Sequence, residues 1–154
     1  MKVTHMKPHG ALNNMASEDR DLAEAIVRAT KAVDPDIILL ATTGSELMKA
    51  GATLDVPTAS EVFADRTYDA KGNLTSRKRD DAMIRNPEQA VEHVLRMVET
   101  GKVRSTDGVD VPVTVHSICI HGDEPTGPAV AASVRAALEA KGIDVVTLPE
   151  VPLN

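Results

Sequence analysis

At 154 residues the chain can bury one real core, and a single domain over 1–154 is expected because two independent domains would be short of material. With 42% hydrophobic and 26% charged residues it falls outside the disordered and fibrous classes. A formal charge of −6, from 23 acids against 17 bases, argues against a nucleic-acid or anionic-membrane surface, which needs a basic face, and leaves small molecules or proteins as partners.

Cys119 is the sole cysteine, so no internal disulfide can form and a reducing compartment is the natural expectation. The longest apolar run, Ile37 to Ala41, is too short to cross a bilayer, and the opening residues hold no apolar signal segment. A cytoplasmic protein is therefore expected. Phe63 and Tyr68 are the only aromatics, and they either anchor a long loop or line a ligand pocket.

Val3 to Lys7 reads as a short strand ended by Pro8 and turned at Gly10. A helix with Ser17 as N-cap follows, its apolar face carried by Leu22, Ala25, Ile26, Ala29 and Val33, and Asp34-Pro35 stops it. Ile37 to Ala41 has the continuous apolar character of a strand buried on both faces of a parallel sheet. A short helix from Ser45 to Ala50 is read as closing at Gly51, and Val56 to Val62 is the next strand.

Phe63 to Asp81 is polar and irregular, and an insertion of that length in a compact domain is usually functional or mobile. Asn86 and Pro87 then supply an N-cap and a first-turn proline, with Gln89 placed for a capping box. The face is read as Val91, Val94, Leu95 and Val98, and Gly101 ends the helix. Lys102 to Pro112 suggests a hairpin excursion, Val113 to Ile120 a strand, Thr126 to Lys141 a helix stopped by Gly142, and Asp144 to Leu148 a last strand. Strands and helices that alternate in this way imply parallel pairing with right-handed crossovers, in an open α/β sheet or a (β/α) barrel. Five strands are too few for an ordinary closed barrel.

Ligands of parallel α/β folds sit at the C-terminal ends of strands, which singles out Lys7-Pro-His9-Gly10, Glu61 through Arg66, and His121-Gly-Asp123. Alternation along the last of these puts Ser117, Cys119 and His121 on one face and Ile118 and Ile120 on the other. His121 and Asp123 then stand beside a helix N-terminus suited to an anion. The competing reading makes Asp123 an N-cap and His121 a hydrogen-bonded turn residue. His9 and Lys7 can equally be solvated, and Asp65-Arg66 a surface ion pair of little energetic weight.

Two histidines with Glu61, Asp65 and Asp123 could supply ligands to Zn²⁺ or Mn²⁺ if they converged, though no local metal spacing is present. P-loop, dinucleotide and nucleophile-elbow motifs are missing. Cys119, in mid-strand, reads as a small buried hydrophobe rather than a nucleophile. Arg77-Lys78-Arg79 is countered at once by Asp80 and Asp81, so it reads as a solvated loop with room for one functional arginine.

Together, Lys7-Pro-His-Gly-Ala-Leu12, Glu61-Val-Phe-Ala-Asp-Arg66 with Tyr68, Gly72, Leu74 and Arg77 behind it, and Cys119-Ile-His-Gly-Asp123 resemble the LamB/YcsF family, the A subunit of prokaryotic 5-oxoprolinase, in its order and at about its spacing. The resemblance runs from Val3 to the end. It implies an incomplete (β/α) barrel of the glycoside hydrolase/deacetylase type, with about five mostly parallel strands and flanking helices. It also implies a role in ATP-dependent opening of 5-oxo-L-proline to L-glutamate with separate subunits B and C, with Mg accompanying the ATP.

On that resemblance His9, Asp65, His121 and Asp123 are the candidate acid–base residues, and Lys7, Glu61, Arg66, Tyr68 and Arg77 the candidate substrate-binding residues. Asn13 stands where the family usually has tyrosine. The family's D-L-N-x-D-x-G-E, H-A-G-D and G-A-H-P segments have no counterpart before Met1. A chain with open sheet edges is thus expected to form a homo-oligomer, to pair with a separate N-terminal fragment or to be a degraded gene product that closes in some other way, and to be inactive alone. The alternatives are a non-catalytic remnant or assembly module, and a metal-dependent deacetylase-like hydrolase.

Overall fold

The structure is a computed structural model that describes residues 3–153, arranged in two compact units: residues 3–61 with 147–153, and residues 62–146.

In the first unit, β1 (His5–Met6), β2 (Ile38–Thr42) and β3 (Thr58–Phe63, which continues into the second unit) pair in parallel, with Met6 opposite Leu39 and Thr42 opposite Glu61. All five residues of β2 are buried, as its unbroken apolar run requires. The connections are helical: α1 (Ala11–Glu18), α2 (Arg20–Val33) and α3 (Glu46–Thr53). Their buried Ala16, Ala23, Val27, Leu47 and Ala50 pack with Leu39 and Ala41 of β2. The opposite face of β2 and β3 shows Ile38, Leu40 and Ala59, on which Leu148 and Leu153 are seated.

Two expectations are corrected here. The single helix capped by Ser17 is two helices, because Asp19 accepts the Leu22 N–H at 3.0 Å and caps α2, while the Ser17 hydroxyl donates back to the Asn13 carbonyl at 2.8 Å. Gly51 does not end α3. It lies inside the helix, where a Cβ would come within 2.1 Å of Thr58 Oγ1, so this glycine is needed for β3 to approach the helix.

In the second unit α4 (Pro87–Thr100) starts on Asn86, whose side chain accepts the Gln89 N–H at 2.9 Å, and ends at Gly101 with φ +63°. An antiparallel hairpin, β4 (Lys102–Arg104) and β5 (Asp110–Pro112), follows. The strand expected over 113–120 is reduced to β6 (Ser117–Cys119), which is the neighbour of β3. Then α5 (Gly127–Ala140) packs on α4, and Val130, Val134 and Leu138 meet Ala90, Val94 and Met97 in the core.

No strand forms at 144–148. Val145 and Val146 are 46% and 49% exposed, and Leu148–Glu150 is a short 3₁₀ turn capped by reciprocal Thr147–Glu150 bonds. Branched residues favour strands only where a ladder and a packed face exist, and no described strand pairs with this segment. The fold is the α/β arrangement of parallel strands and flanking helices that the sequence implied. No helix among the described residues is long and apolar enough to cross a membrane.

Candidate functional site

In the first unit, β1 delivers Lys7 to the C-terminal edge of the sheet, where it forms an ion pair with Glu61 of β3. Glu61 is only 3% exposed, so its charge needs that partner. His9 is solvent-exposed on the turn into α1, which begins after Gly10 at φ +59°.

Between these strands the end of β2 supplies a group that the motifs did not single out. Thr42 and Thr43 are buried, the Asn13 amide donates to Thr42 Oγ1 at 3.2 Å, and the Thr43 N–H donates to the Glu61 carbonyl at 2.9 Å. The run Thr42-Thr43-Gly44-Ser45 directly after an apolar strand was the available signal.

In the second unit the candidates Asp65 and His121, 56 residues apart, form one assembly. His121 donates its backbone N–H to Asp65 Oδ2 at 2.8 Å, and its Nδ1 lies 3.0 and 2.9 Å from the two carboxylate oxygens. An ionised carboxylate only accepts, so Nδ1 carries the proton, and Nε2 of the neutral ring is left with its lone pair. Phe63 stacks on the imidazole at 5.8 Å and 22°. Asp65 is nearly sealed from water and the His121 side chain is 20% exposed. The result is an oriented imidazole that can take or give a proton at Nε2.

The tight turn behind His121 depends on Gly127, where a Cβ would meet the His121 carbonyl at 2.5 Å. Asp123 is not an N-cap: α5 starts after Thr126, and Asp123 is a mostly exposed side chain 3.9 Å from Arg77. A second ion pair, Arg85 with Glu124 at 3.2 Å, joins the same two loops.

Arg66 is buried, and its guanidinium donates to the carbonyls of Thr75 at 2.6 Å and Ala82 at 3.3 Å, tying the irregular loop together. Burial, and after it the nearby Arg77, lower its pKa. Tyr68 is fully buried and its hydroxyl accepts the Phe63 N–H at 2.8 Å, so of the two open readings the ring anchors the loop.

His93 was not singled out from sequence. It lies on α4 beside Ala90, Val94 and Met97; of the face inferred from periodicity, Val94 is in the core and Val91, Leu95 and Val98 are partly buried against it, while Ala90 and Met97 are buried in addition. Its ring is 6.0 Å from Tyr68, its Nε2 has no hydrogen-bond partner, and burial lowers its pKa despite the backbone groups of Arg66 and Phe63. A histidine at i+3 from Ala90 and i−4 from Met97 was the available sign. Among the described residues no group of three or more His, Cys, Asp or Glu side chains converges on a point that would hold a metal ion.

A family model described as the LamB/YcsF family matches residues 1–152. The chain is 46% identical over 145 residues to the A subunit of 5-oxoprolinase from Halalkalibacterium halodurans, a match covering 94% of this chain and 56% of that protein. It is 45% identical over 150 residues to the corresponding A subunit from Bacillus subtilis, covering 97% and 58%. The crystal structure of the lactam utilization protein from Thermus thermophilus superposes with a TM-score of 0.85 at 39% identity, covering 94% of this chain and 57% of that one. The chain thus spans little more than half the length of these relatives, and within that span, from the Lys7–Glu61 pair to the Asp65–His121 pair, it belongs to the LamB/YcsF family.

Proposed function

We propose that the chain contributes proton-transfer and substrate-holding groups to the ATP-dependent opening of 5-oxo-L-proline to L-glutamate, in the cytoplasm and together with separate subunits B and C. Relatives named as the A subunit of 5-oxoprolinase and a structural neighbour named for lactam utilization support the substrate class. The observation that carries the reading is the Asp65–His121 pair, with Nδ1 fixed and Nε2 left as the acceptor.

An unactivated lactam resists water because its nitrogen is a poor leaving group and its carbonyl is weakly electrophilic. Transfer of the ATP γ-phosphoryl group to the amide oxygen turns that oxygen into a leaving group, and Mg, as the counter-ion of ATP, supplies charge neutralisation there. Water then adds to the ring carbon, with Nε2 of His121 accepting its proton, and the same nitrogen returns the proton to the ring nitrogen as the C–N bond breaks, leaving a γ-glutamyl phosphate that a second water hydrolyses to L-glutamate and inorganic phosphate. Asp65 keeps the imidazole in the required tautomer. In the second unit Arg77 provides positive charge for carboxylate or phosphate oxygens and Asp123 is a further polar group, while Arg66 is committed to its loop; Lys7 and His9 are the candidate polar groups of the first unit. The described residues offer no protein-built metal centre, and none of these steps runs through one.

The test is glutamate formation from 5-oxo-L-proline and ATP in a reconstituted mixture with subunits B and C. His121→Gln is expected to lower the rate by about 10²–10⁴, the usual worth of a positioned acid–base group. A His121→Gln protein that turns over at the wild-type rate refutes the assignment. The chain by itself is expected to release no glutamate.

A further inference from the structure

We propose that Phe63, propped by the Tyr68 hydroxyl, is a positioning residue that fixes the plane of the His121 imidazole and with it the direction of the Nε2 lone pair. This role rests on the proton transfer assigned to His121 and adds a second restraint to the one that Asp65 supplies.

Asp65 holds the imidazole by one edge only. Its carboxylate takes the His121 backbone N–H at 2.8 Å and the Nδ1–H at 2.9 to 3.0 Å, so both contacts lie on the side of the ring away from Nε2. A hydrogen bond keeps most of its strength through about 30° of bending, and a swing of that size about Nδ1 carries Nε2 through about 1 Å. A reacting atom misplaced by about 1 Å can cost about 10²-fold in rate. The carboxylate therefore sets the tautomer but leaves the aim of Nε2 loose.

Phe63 closes that gap. Its ring lies 5.8 Å from the imidazole at 22°, an offset, nearly parallel arrangement of the kind aromatic pairs prefer. Phe63 is buried, so its flat face is a packed wall, and rotation of the imidazole toward it drives ring atoms into contact.

A ring serves as a stop only where its own backbone is fixed, and the backbone here is held from two sides. The Phe63 N–H donates to the Tyr68 hydroxyl at 2.8 Å, and the Ala64 N–H donates to the Cys119 carbonyl at 3.0 Å. Cys119 stands two residues before His121, so the stacking ring and the imidazole hang from the same bridge between the end of β3 and β6. Tyr68 is fixed in turn: it is fully buried and its carbonyl accepts the Thr106 N–H at 2.8 Å. Removing its hydroxyl takes away the acceptor of the Phe63 N–H and frees the wall to move.

The experiment combines NMR spectra of the full chain with turnover in the reconstituted mixture containing subunits B and C. Phe63 is the sole phenylalanine, so its ring signals are assigned without ambiguity. Wild-type protein should show proton–proton contacts between the Phe63 and His121 rings. In Phe63→Leu, which stays apolar but loses the flat face, the Nδ1–H tautomer should persist and the imidazole C–H order parameters should fall. Its kcat should drop by about 10- to 100-fold at unchanged KM. Tyr68→Phe keeps both rings and loses one oxygen; it should weaken the contacts between them and lower kcat by about three- to tenfold, and it carries the test where Phe63→Leu does not fold. Missing ring contacts in the wild-type chain overturn the inference. So does a folded Phe63→Leu protein with native order parameters or a kcat within about twofold of wild type, or one whose imidazole has switched to the Nε2–H form, which would place Phe63 behind Asp65 instead. A Tyr68→Phe protein with native contacts and native rate overturns the part given to the hydroxyl. A wild-type mixture that forms no glutamate refutes the proposed function alone, because the spectra of the chain still decide whether Phe63 fixes the ring.

Discussion

Replacing Asp65 by asparagine keeps the shape of the side chain and changes only what it can accept. In the native arrangement one carboxylate receives two N–H groups of His121, the backbone amide at 2.8 Å and Nδ1 at 2.9 to 3.0 Å. The asparagine amide offers one acceptor oxygen and one NH₂ group. If the oxygen keeps the backbone N–H, the NH₂ faces Nδ1, which must give up its proton and become the acceptor, so the ring switches to the Nε2–H tautomer. If the oxygen turns to Nδ1, two donors face each other at the backbone. A hydrogen bond to a charged group contributes roughly 1.5–3 kcal/mol, so a loss of about 1–3 kcal/mol in stability is expected, because Asp65 is buried and water cannot fill in. For a protein of this size that lowers Tm by several degrees. Activity should fall much further, by about 10³–10⁴, since a wrong tautomer removes the acceptor at Nε2. Long-range ¹H–¹⁵N spectra of the imidazole distinguish the two tautomers directly. Finding the Nε2–H form in the native protein, or no tautomer change in Asp65→Asn with a large loss of activity, would refute the reasoning.

Two other perturbations test the frame around the site. Gly51→Ala gains about 1 kcal/mol of helix propensity but drives a Cβ to 2.1 Å from Thr58 Oγ1, and overpacking of that kind costs about 1–3 kcal/mol. A net loss is expected in urea melts, with Thr58→Ala partly restoring stability in the double variant and an additive double-mutant cycle counting against the contact. His93, held neutral by burial, has a folded-state pKa below the ordinary 6.5, so the unfolded chain takes up a proton first as pH falls. Its contribution to stability is full above about 6.5 and is lost as pH drops from there through the folded pKa. His93→Leu should flatten that acid limb, leaving the same-signed share of half-buried His116, and an unchanged limb would show that His93 does not titrate in this way.

The features legible in the sequence were those whose cause is local. Asn86-Pro87 and Gly101 bracket α4 because a cap side chain, a fixed φ and a left-handed glycine act within one turn. Ser17 and Asp19 are both good caps, and only the packing of Ala16 and Ala23 into one cluster determines that the break falls at Asp19. Gly51 is ambiguous for a similar reason, since a glycine signals a helix end and a close approach equally well. The strand expected at 144–148 fails because a strand is a property of a pair, and its partner is not in the sequence pattern. For the site, His121 and Asp65 were each identifiable at strand ends, but their mutual hydrogen bonds depend on bringing β6 beside the end of β3. His93 was hidden by an apolar pattern that tolerates one polar member per turn.

The Arg66 clamp has a consequence for how this protein can vary. Its guanidinium fixes the carbonyls of Thr75 and Ala82 to one point, so residues 76–81, all exposed, form a closed excursion with anchored ends. Closing a slightly longer or shorter flexible loop between fixed ends changes free energy by only a few tenths of a kcal/mol. Insertions and deletions can therefore accumulate there without moving Asp65, whereas a change of length between Asp65 and Thr75 would shift the clamp itself. Evolutionary freedom and constraint meet at a single side chain, and the boundary between them falls at Thr75.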